Sequence, residues 1–135
     1  MPKSPQVPRL TPPQLAILKV LWERSEATVV DIHEALQLER PLATTTIATL
    51  LSRLQKRGLV TYRTEGRQYV YRAILQEEDA QQHALVEVTK GLFAGDVATM
   101  VSQLLSSHEL RPADLARVRQ LIDAKERELK KRKRS

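Results

Sequence analysis

The sequence contains no cysteine, and this absence excludes several kinds of site at once. Disulfides, thiolate nucleophiles, cysteine-ligated metals and sulfur-based redox sensing all require that side chain. Aromatic residues make up only 4% of the 135 residues, so a core must consist mostly of leucine, isoleucine, valine and alanine. Such a core suits packed helices, and we expect a mostly α-helical chain.

Long hydrophobic runs and catalytic patterns are also missing. No apolar run approaches the roughly 20 residues needed to cross a bilayer, and residues 1–9 lack the apolar segment of a signal peptide, so we expect a cytoplasmic protein. There is no glycine-rich phosphate loop, and His33, His83 and His108 fit no metal-binding spacing. We therefore expect no enzyme activity, metal, cofactor or small-molecule substrate.

Positive charge lies at the two ends of the chain. Residues 1–75 carry 11 basic and 6 acidic residues, residues 76–128 carry 6 basic and 10 acidic, and residues 129–135 add five basic residues, for a formal net charge of +6. A basic region attracts nucleic-acid phosphates regardless of their sequence. Residues 1–75 are thus the candidate DNA-binding region. The alternative is a soluble basic protein that binds no nucleic acid, which would have the same composition.

Helical spacing and turn residues predict three short helices followed by a β-hairpin. The predicted helices span about 11–23, 28–38 and 43–58, and the predicted strands span 59–63 and 68–72. A Thr-Pro-Pro-Gln capping pattern at Thr11 begins the first helix, and Gly66 lies in the turn of the hairpin. This order predicts a winged helix-turn-helix, which places its third helix in the major groove of DNA. Tyr69 and Tyr71 are predicted to pack against the helices rather than stack on bases.

The polar face of the third helix carries the candidate base contacts, which are Thr44, Thr45, Thr46 and Thr49. A threonine hydroxyl donates or accepts a hydrogen bond, and its methyl group can contact the thymine methyl. Two roles are open for Thr44, because a threonine at that position can contact a base or cap the helix.

The candidate phosphate contacts are basic residues further along the same region: Arg53, Lys56, Arg57 and Arg67. The first three follow the threonines along the helix, where it would leave the groove. Arg67 follows Gly66 at the tip of the wing, and its alternative role is that of a solvated surface charge. We expect these residues to set the affinity for DNA rather than the choice of sequence.

From Gln76 onward, apolar residues recur in three stripes at helical spacing. Three amphipathic helices leave apolar surface exposed unless they meet a partner, and the simplest partner is a second copy. A twofold pair places two reading helices about 34 Å apart, one turn of DNA; folding back onto the winged helix is the alternative. The predicted dimerisation residues are Leu85, Val88, Leu92, Val97, Met100, Val101, Leu104, Leu105, Leu115, Val118, Leu121 and Ile122.

The predicted organisation therefore has four parts. These are a flexible arm at residues 1–9, a winged-helix DNA-binding domain at 10–75, a helical dimerisation region at 76–129 and a basic tail at 130–135. Three roles are open for the tail, because a run of lysine and arginine can be a solubilising segment, a phosphate contact or a weak membrane-surface patch.

The sequence resembles the BlaI/MecI family of penicillinase repressors over roughly Leu10 to Lys125. The residues that carry the resemblance are LTPPQLAILKVLW (10–22), TTTIATLLSRLQKRGLV (44–60), GRQYVY (66–71) and GLFAGDVATMVSQLL (91–105). The resemblance implies a homodimeric repressor that binds double-stranded DNA at palindromic operators of antibiotic-resistance or envelope-stress genes. It also places the family's reading positions on Thr46, Thr49 and Arg53.

The same resemblance implies a membrane receptor protease that releases the repressor by cleaving its C-terminal helices. The family's Asn-Phe cleavage pair falls on Gln103 and Leu104 in this chain. Copper-responsive relatives use cysteine motifs, which this sequence lacks. Two other functions fit the residues: a DNA-binding architectural protein without sequence preference, and a winged-helix module that binds other proteins.

Overall fold

The structure is a computed structural model that describes residues 9–134. Over that range the chain forms six α-helices and one two-stranded antiparallel sheet, which confirms the predicted fold class of a winged helix-turn-helix followed by helices. The arm predicted at residues 1–9 lies outside the described residues except for Arg9. The elements are α1 (Pro12–Arg24), α2 (Val29–Ala35), α3 (Thr44–Lys56), β1 (Val60–Glu65), β2 (Gln68–Ala73), α4 (Glu77–Phe93), α5 (Val97–Ser107) and α6 (Pro112–Arg134).

The first two helices begin with the same reciprocal cap. The Thr11 hydroxyl accepts a hydrogen bond from the Gln14 amide at 3.3 Å, and the Gln14 side chain accepts one from the Thr11 amide at 3.0 Å. Thr28 and Asp31 repeat this arrangement at 3.1 and 3.0 Å. Each capping box satisfies two amide groups that the helix leaves without partners. The cap predicted at Thr11 is confirmed.

Helix α2 is shorter than predicted, because it ends at Ala35 rather than near Leu38. Leu36 is its C-cap, and the Gln37 amide donates to the Glu34 carbonyl at 3.4 Å, a tighter turn than that of an α-helix. Leu36 is buried, whereas Leu38 is 99% exposed. The predicted end near Leu38 therefore extended the helix past the last buried residue of its apolar face, Leu36.

A core formed by α1, α2, α3 and the hairpin holds the winged helix together. The largest fully buried side chains are Ile17, Leu18, Leu21, Ile32, Ile47, Leu51, Leu54 and Val60. Trp22 is only half-buried, and its indole Nε1 donates to the Leu75 carbonyl at 2.8 Å. That bond ties α1 to the segment that follows β2.

The hairpin is longer than predicted, and its turn is tighter. Residues from Val60 to Glu65 pair with residues from Ala73 to Gln68, which leaves a two-residue turn. Gly66 occupies the first position of that turn with φ +63°, a conformation that glycine adopts without a steric cost. Backbone bonds of 2.8 and 3.0 Å between Tyr71 and Ala27 attach β2 to the segment before α2.

The chain divides into two compact units within α4, at Val86 and Glu87. In the second unit, Asp96 caps α5 by accepting from the Thr99 amide at 3.1 Å. Helix α6 continues through Arg134, so the basic run predicted as a tail is helical up to that residue. Across residues 9–134, no helix has the length and apolarity that a membrane span requires.

Candidate nucleic-acid interface

Helix α3 has one face in the core and the opposite face at the surface. Ile47 and Leu51 are fully buried. Thr46, Thr49 and Arg53 are exposed, and they follow one another at spacings of three and four residues. Residues at these spacings lie on one side of a helix. The predicted polar face of α3 is therefore a continuous strip of surface.

The N-terminus of α3 differs from those of α1 and α2, because its N-cap residue is Ala43 and no side chain caps it. The predicted alternative in which Thr44 caps the helix is wrong, since Thr44 is the first helical residue. The first amide groups of a helix have no partner within the helix, and they lie at the positive end of its dipole. An uncapped N-terminus at the surface is therefore suited to a phosphate or the edge of a base.

The four threonines are not equivalent. The Thr49 hydroxyl donates to the Thr45 carbonyl at 3.0 Å, which uses its only donor and leaves its lone pairs and methyl group. Thr44, Thr45 and Thr46 are exposed, and their hydroxyls make no hydrogen bond within the described part of the chain. These three residues keep both a donor and an acceptor for DNA.

Basic residues extend the threonine strip towards the C-terminus of α3. Arg53 and Lys56 lie in its last turn and Arg57 is its C-cap. All three are exposed, and none forms an ion pair with another residue between positions 9 and 134. Arg53 follows Thr46 by seven residues, about 10 Å along the helix. The strip thus changes from hydroxyl groups to positive charges along its length.

The two arginines of the wing have different surroundings. The Arg63 guanidinium donates to Glu26 at 3.1 Å and to Glu65 at 2.6 Å, and these carboxylates raise its pKa. Arg67 is exposed at the tip of the turn and has no acidic partner among the residues that the structure describes. Glu26 is not predictable from the local sequence, because it precedes Arg63 by 37 positions. Arg67 is therefore the uncompensated charge of the pair.

Three tyrosines form a cluster on one face of the hairpin. The ring centroid of Tyr62 lies 4.4 Å from that of Tyr69 and 5.6 Å from that of Tyr71. Tyr71 belongs to the core, as predicted. Burial raises the pKa of its hydroxyl, and electrostatic repulsion from Tyr62 and Tyr69 raises it further. Tyr69 is 50% exposed, lies outside the core cluster of the helices and contacts the rings of Tyr62 and Tyr71, so its predicted packing against the helices is wrong.

The predicted dimerisation residues lie on α4, α5 and α6, and none of the residues of these helices is buried in the described chain. The exposed members of the set include Leu92 at 80%, Leu121 at 61% and Val97 at 57%. Met100, Val101 and Val118 are half-buried. Gln103 and Leu104 lie within α5, away from its two ends, and the side chains of both are exposed.

Residues 10–124 match the protein family described as "Penicillinase repressor". The penicillinase repressor of Bacillus licheniformis is 25% identical over 118 residues, which cover 87% of this chain and 92% of that protein. The transcriptional regulator BlaI of Mycobacterium tuberculosis is 32% identical over 125 residues, covering 77% of this chain and 91% of that protein.

Two solved structures are similar to this one. The DNA-binding domain of the repressor BlaI is 30% identical, covers 55% of this chain and 90% of its own, and superposes with a TM-score of 0.49. The hsRosR-S4 protein of a solved complex is 20% identical, covers 89% of this chain and 92% of its own, and gives a TM-score of 0.50. At that identity the second likeness concerns the fold alone.

Proposed function

Because this chain belongs to the penicillinase repressor family of DNA-binding transcriptional repressors, we propose that it acts as a homodimer on palindromic operators. Each copy presents one α3 to the major groove, and the two grooves lie one helical turn apart. The bound dimer represses transcription by excluding RNA polymerase from the promoter.

The uncapped N-terminus of α3 is the observation that carries the DNA-reading part of this proposal. Ala43 provides no capping side chain, and Thr44, Thr45 and Thr46 are exposed with unused hydroxyls. Their hydroxyls and methyl groups contact base edges, while Thr49 contributes its lone pairs and methyl group. The backbone amide groups of this first turn have no partner within the helix. They cost little stability in the unbound protein, because water solvates them.

The basic residues around α3 supply affinity. Arg53, Lys56 and Arg57 lie beyond the threonines and contact the phosphates on either side of the groove. Arg67 extends from the wing to a phosphate of the neighbouring groove. Each phosphate contact releases counterions, so binding by this surface weakens as the salt concentration rises.

The exposed apolar residues of α4, α5 and α6 support the dimer. Leu104, Leu105 and Leu115 are 46%, 42% and 41% exposed, although helical spacing places them on apolar stripes. Burying a fully exposed leucine stabilises by about 1.5–3 kcal/mol, so covering the exposed part of each of these side chains adds roughly half of that, and in a twofold pair every such residue counts twice. This gain offsets the entropy that two chains lose on association.

Cleavage between Gln103 and Leu104 by a membrane receptor protease stays a prediction from the resemblance. Both residues have helical backbone within α5. A protease binds its substrate in an extended conformation, so cleavage at this bond requires local unwinding of α5. Mass spectrometry of induced cells would detect the fragment that ends at Gln103.

The proposal is tested by selecting binding sites from a pool of random duplexes with the full chain. We expect a palindromic site bound about 10³-fold or more tightly than random duplex. Thr45→Val with Thr46→Val removes two hydroxyls but keeps two methyl groups, and should lower that ratio; Ser102→Ala on α5 is the matched control. Tight binding without any selected sequence would indicate an architectural protein. Negligible binding at moderate salt would indicate a protein-interaction module.

A further inference from the structure

His33 connects α2 to the segment that leads into α3. Its Nδ1 atom lies 2.8 Å from the Leu42 carbonyl oxygen, and its Nε2 atom lies 2.7 Å from the Gln37 side-chain nitrogen. A carbonyl oxygen only accepts, so Nδ1 carries the proton and donates it to Leu42. In the neutral ring Nε2 then accepts from the Gln37 amide group. One tautomer satisfies both contacts.

The position of Leu42 gives this bond its importance. Leu42 immediately precedes Ala43, the N-cap residue of α3, which has no side-chain hydrogen bond. The starts of α1 and α2 are held by capping boxes, whereas the start of α3 has none. The imidazole of His33 therefore holds the backbone one residue before the helix that lacks a cap.

We propose that His33 is a positioning residue for DNA reading. By fixing the Leu42 carbonyl, it sets the direction in which α3 leaves the turn and so the placement of Thr44, Thr45 and Thr46 against the bases. This inference rests on the proposed function of α3. His33 is half-buried, and in this proposal it acts through the Leu42 carbonyl rather than through a contact of its own with DNA.

The first test is independent of DNA and uses the wild-type chain labelled with ¹⁵N in its histidines. At a pH where the imidazole is neutral, we expect the nitrogen signals of His33 to show a proton on Nδ1 and none on Nε2. A histidine without such a partner favours the opposite tautomer. A proton on Nε2 of neutral His33 would overturn the inference, because Nδ1 would then have no hydrogen to donate.

The second test compares His33→Leu with His33→Asn. Leucine cannot donate, whereas the Asn side-chain nitrogen takes nearly the place of Nδ1. For His33→Leu we expect operator affinity to fall about threefold to tenfold, the range for one lost neutral hydrogen bond, with little change for random duplex. His33→Asn should restore most of the loss. His108→Leu, which removes a histidine from the second unit, should leave the ratio of the two affinities unchanged.

These outcomes separate the inference from the function on which it rests. An unchanged ratio in His33→Leu, or an equal loss on both duplexes, would overturn the positioning role while the wild type still preferred its operator. A wild type without any preference would instead contradict the proposed function. If His33→Leu does not fold, a proton on Nε2 of the wild type, or a loss of operator preference in His33→Asn, would still overturn the positioning role.

Discussion

The two units of this chain use similar amphipathic helices in different ways. In the described chain, every buried hydrophobic side chain lies between Ile17 and Tyr71, within the first unit. No residue of α5 or α6 is buried. Burial of apolar surface is the main source of folding stability, so the first unit contains its own core. The second unit exposes the kind of surface that another chain covers.

One helix from each unit shows the contrast directly. Ile47, Leu51 and Leu54 of α3 are fully buried, whereas Val97 and Leu104 of α5 are 57% and 46% exposed. Both sets recur at helical spacing. The spacing alone therefore does not reveal whether an apolar face is covered by the same chain or by a second one.

The largest effect should come from removing apolar side chains of the second unit. Leu104→Ser with Leu121→Ser affects four leucines in a dimer, and because these side chains are 46% and 61% exposed, an interface that covers them adds roughly half of the 1.5–3 kcal/mol for a fully exposed leucine at each one. We expect operator affinity to fall by at least about 100-fold at low protein concentration, because each half-site alone makes too few contacts. Titration of labelled operator measures this loss.

Leu38→Ser is the matched control for that experiment. Leu38 is a leucine of the first unit that is 99% exposed, so its replacement removes no buried area within one chain. Operator affinity should stay unchanged in this variant. An equal loss in both variants would mean that exposed leucines in general, and not those of the second unit, support DNA binding.

A core substitution in the first unit should have the next largest effect. Leu51 is fully buried, and Leu51→Ala should lower the free energy of unfolding by about 2–5 kcal/mol. Urea unfolding followed by circular dichroism measures the change. The loss should not depend on protein concentration, whereas that of Leu121→Ser should. A strong concentration dependence for Leu51→Ala would contradict a core that lies within one chain.

A smaller effect should distinguish the two arginines of the wing. Arg67→Ala should weaken binding to all duplexes and reduce the slope of log affinity against log salt by about one unit. Arg63→Ala should leave the slope nearly unchanged, because Glu26 and Glu65 already neutralise Arg63. Affinity measured at several salt concentrations gives both slopes. A slope in Arg67→Ala equal to that of the wild type would assign Arg67 to solvent.

The smallest effect concerns the acidic caps. Backbone and side-chain hydrogen bonds from Thr28 hold the pKa of Asp31 below its ordinary value of 3.8. Because the folded pKa is the lower one, the stabilisation is present above pH 3.8 and is lost as the pH falls through the folded pKa. Asp31→Asn should thus be slightly less stable than the wild type at pH 7, and the difference should shrink in acid. Urea unfolding of the two proteins at pH 7 and at a pH below 3.8 measures the difference.

Asp96 offers the corresponding substitution in the second unit. Side-chain and backbone hydrogen bonds from Thr99 lower its pKa in the same way. The loss of stability in Asp96→Asn should therefore also shrink in acid. It should depend on protein concentration, because Asp96 lies in the unit that we propose joins two copies. A difference that grows as the pH falls would contradict the capping role of either carboxylate.

The features that the sequence predicts well are those set by neighbouring residues. The cap at Thr11 and the turn at Gly66 each depend on a few adjacent positions, as does the buried face of α3. Contacts between distant residues were not predictable, because local patterns do not encode them. Examples are the bond from Trp22 to Leu75, which are 53 positions apart, and the pairing of Arg63 with Glu26.

Two features of the candidate site also lay beyond the sequence pattern. Ala43 lies next to three threonines, and only the backbone conformation shows that none of them is the N-cap. The hydrogen bond from His33 to Leu42 forms because α2 ends at Ala35 and the chain turns back. Both features depend on where a helix ends, and side-chain spacing defines helix ends poorly.

The solution mass of the full chain tests most directly whether the second unit joins two copies. Sedimentation equilibrium at micromolar concentration, without DNA, should give twice the chain mass of 15.4 kDa, and Leu104→Ser with Leu121→Ser should shift the mass towards one chain. A wild type that sediments as a single chain of 15.4 kDa, and that also binds its operator with only one chain per duplex, would contradict the account.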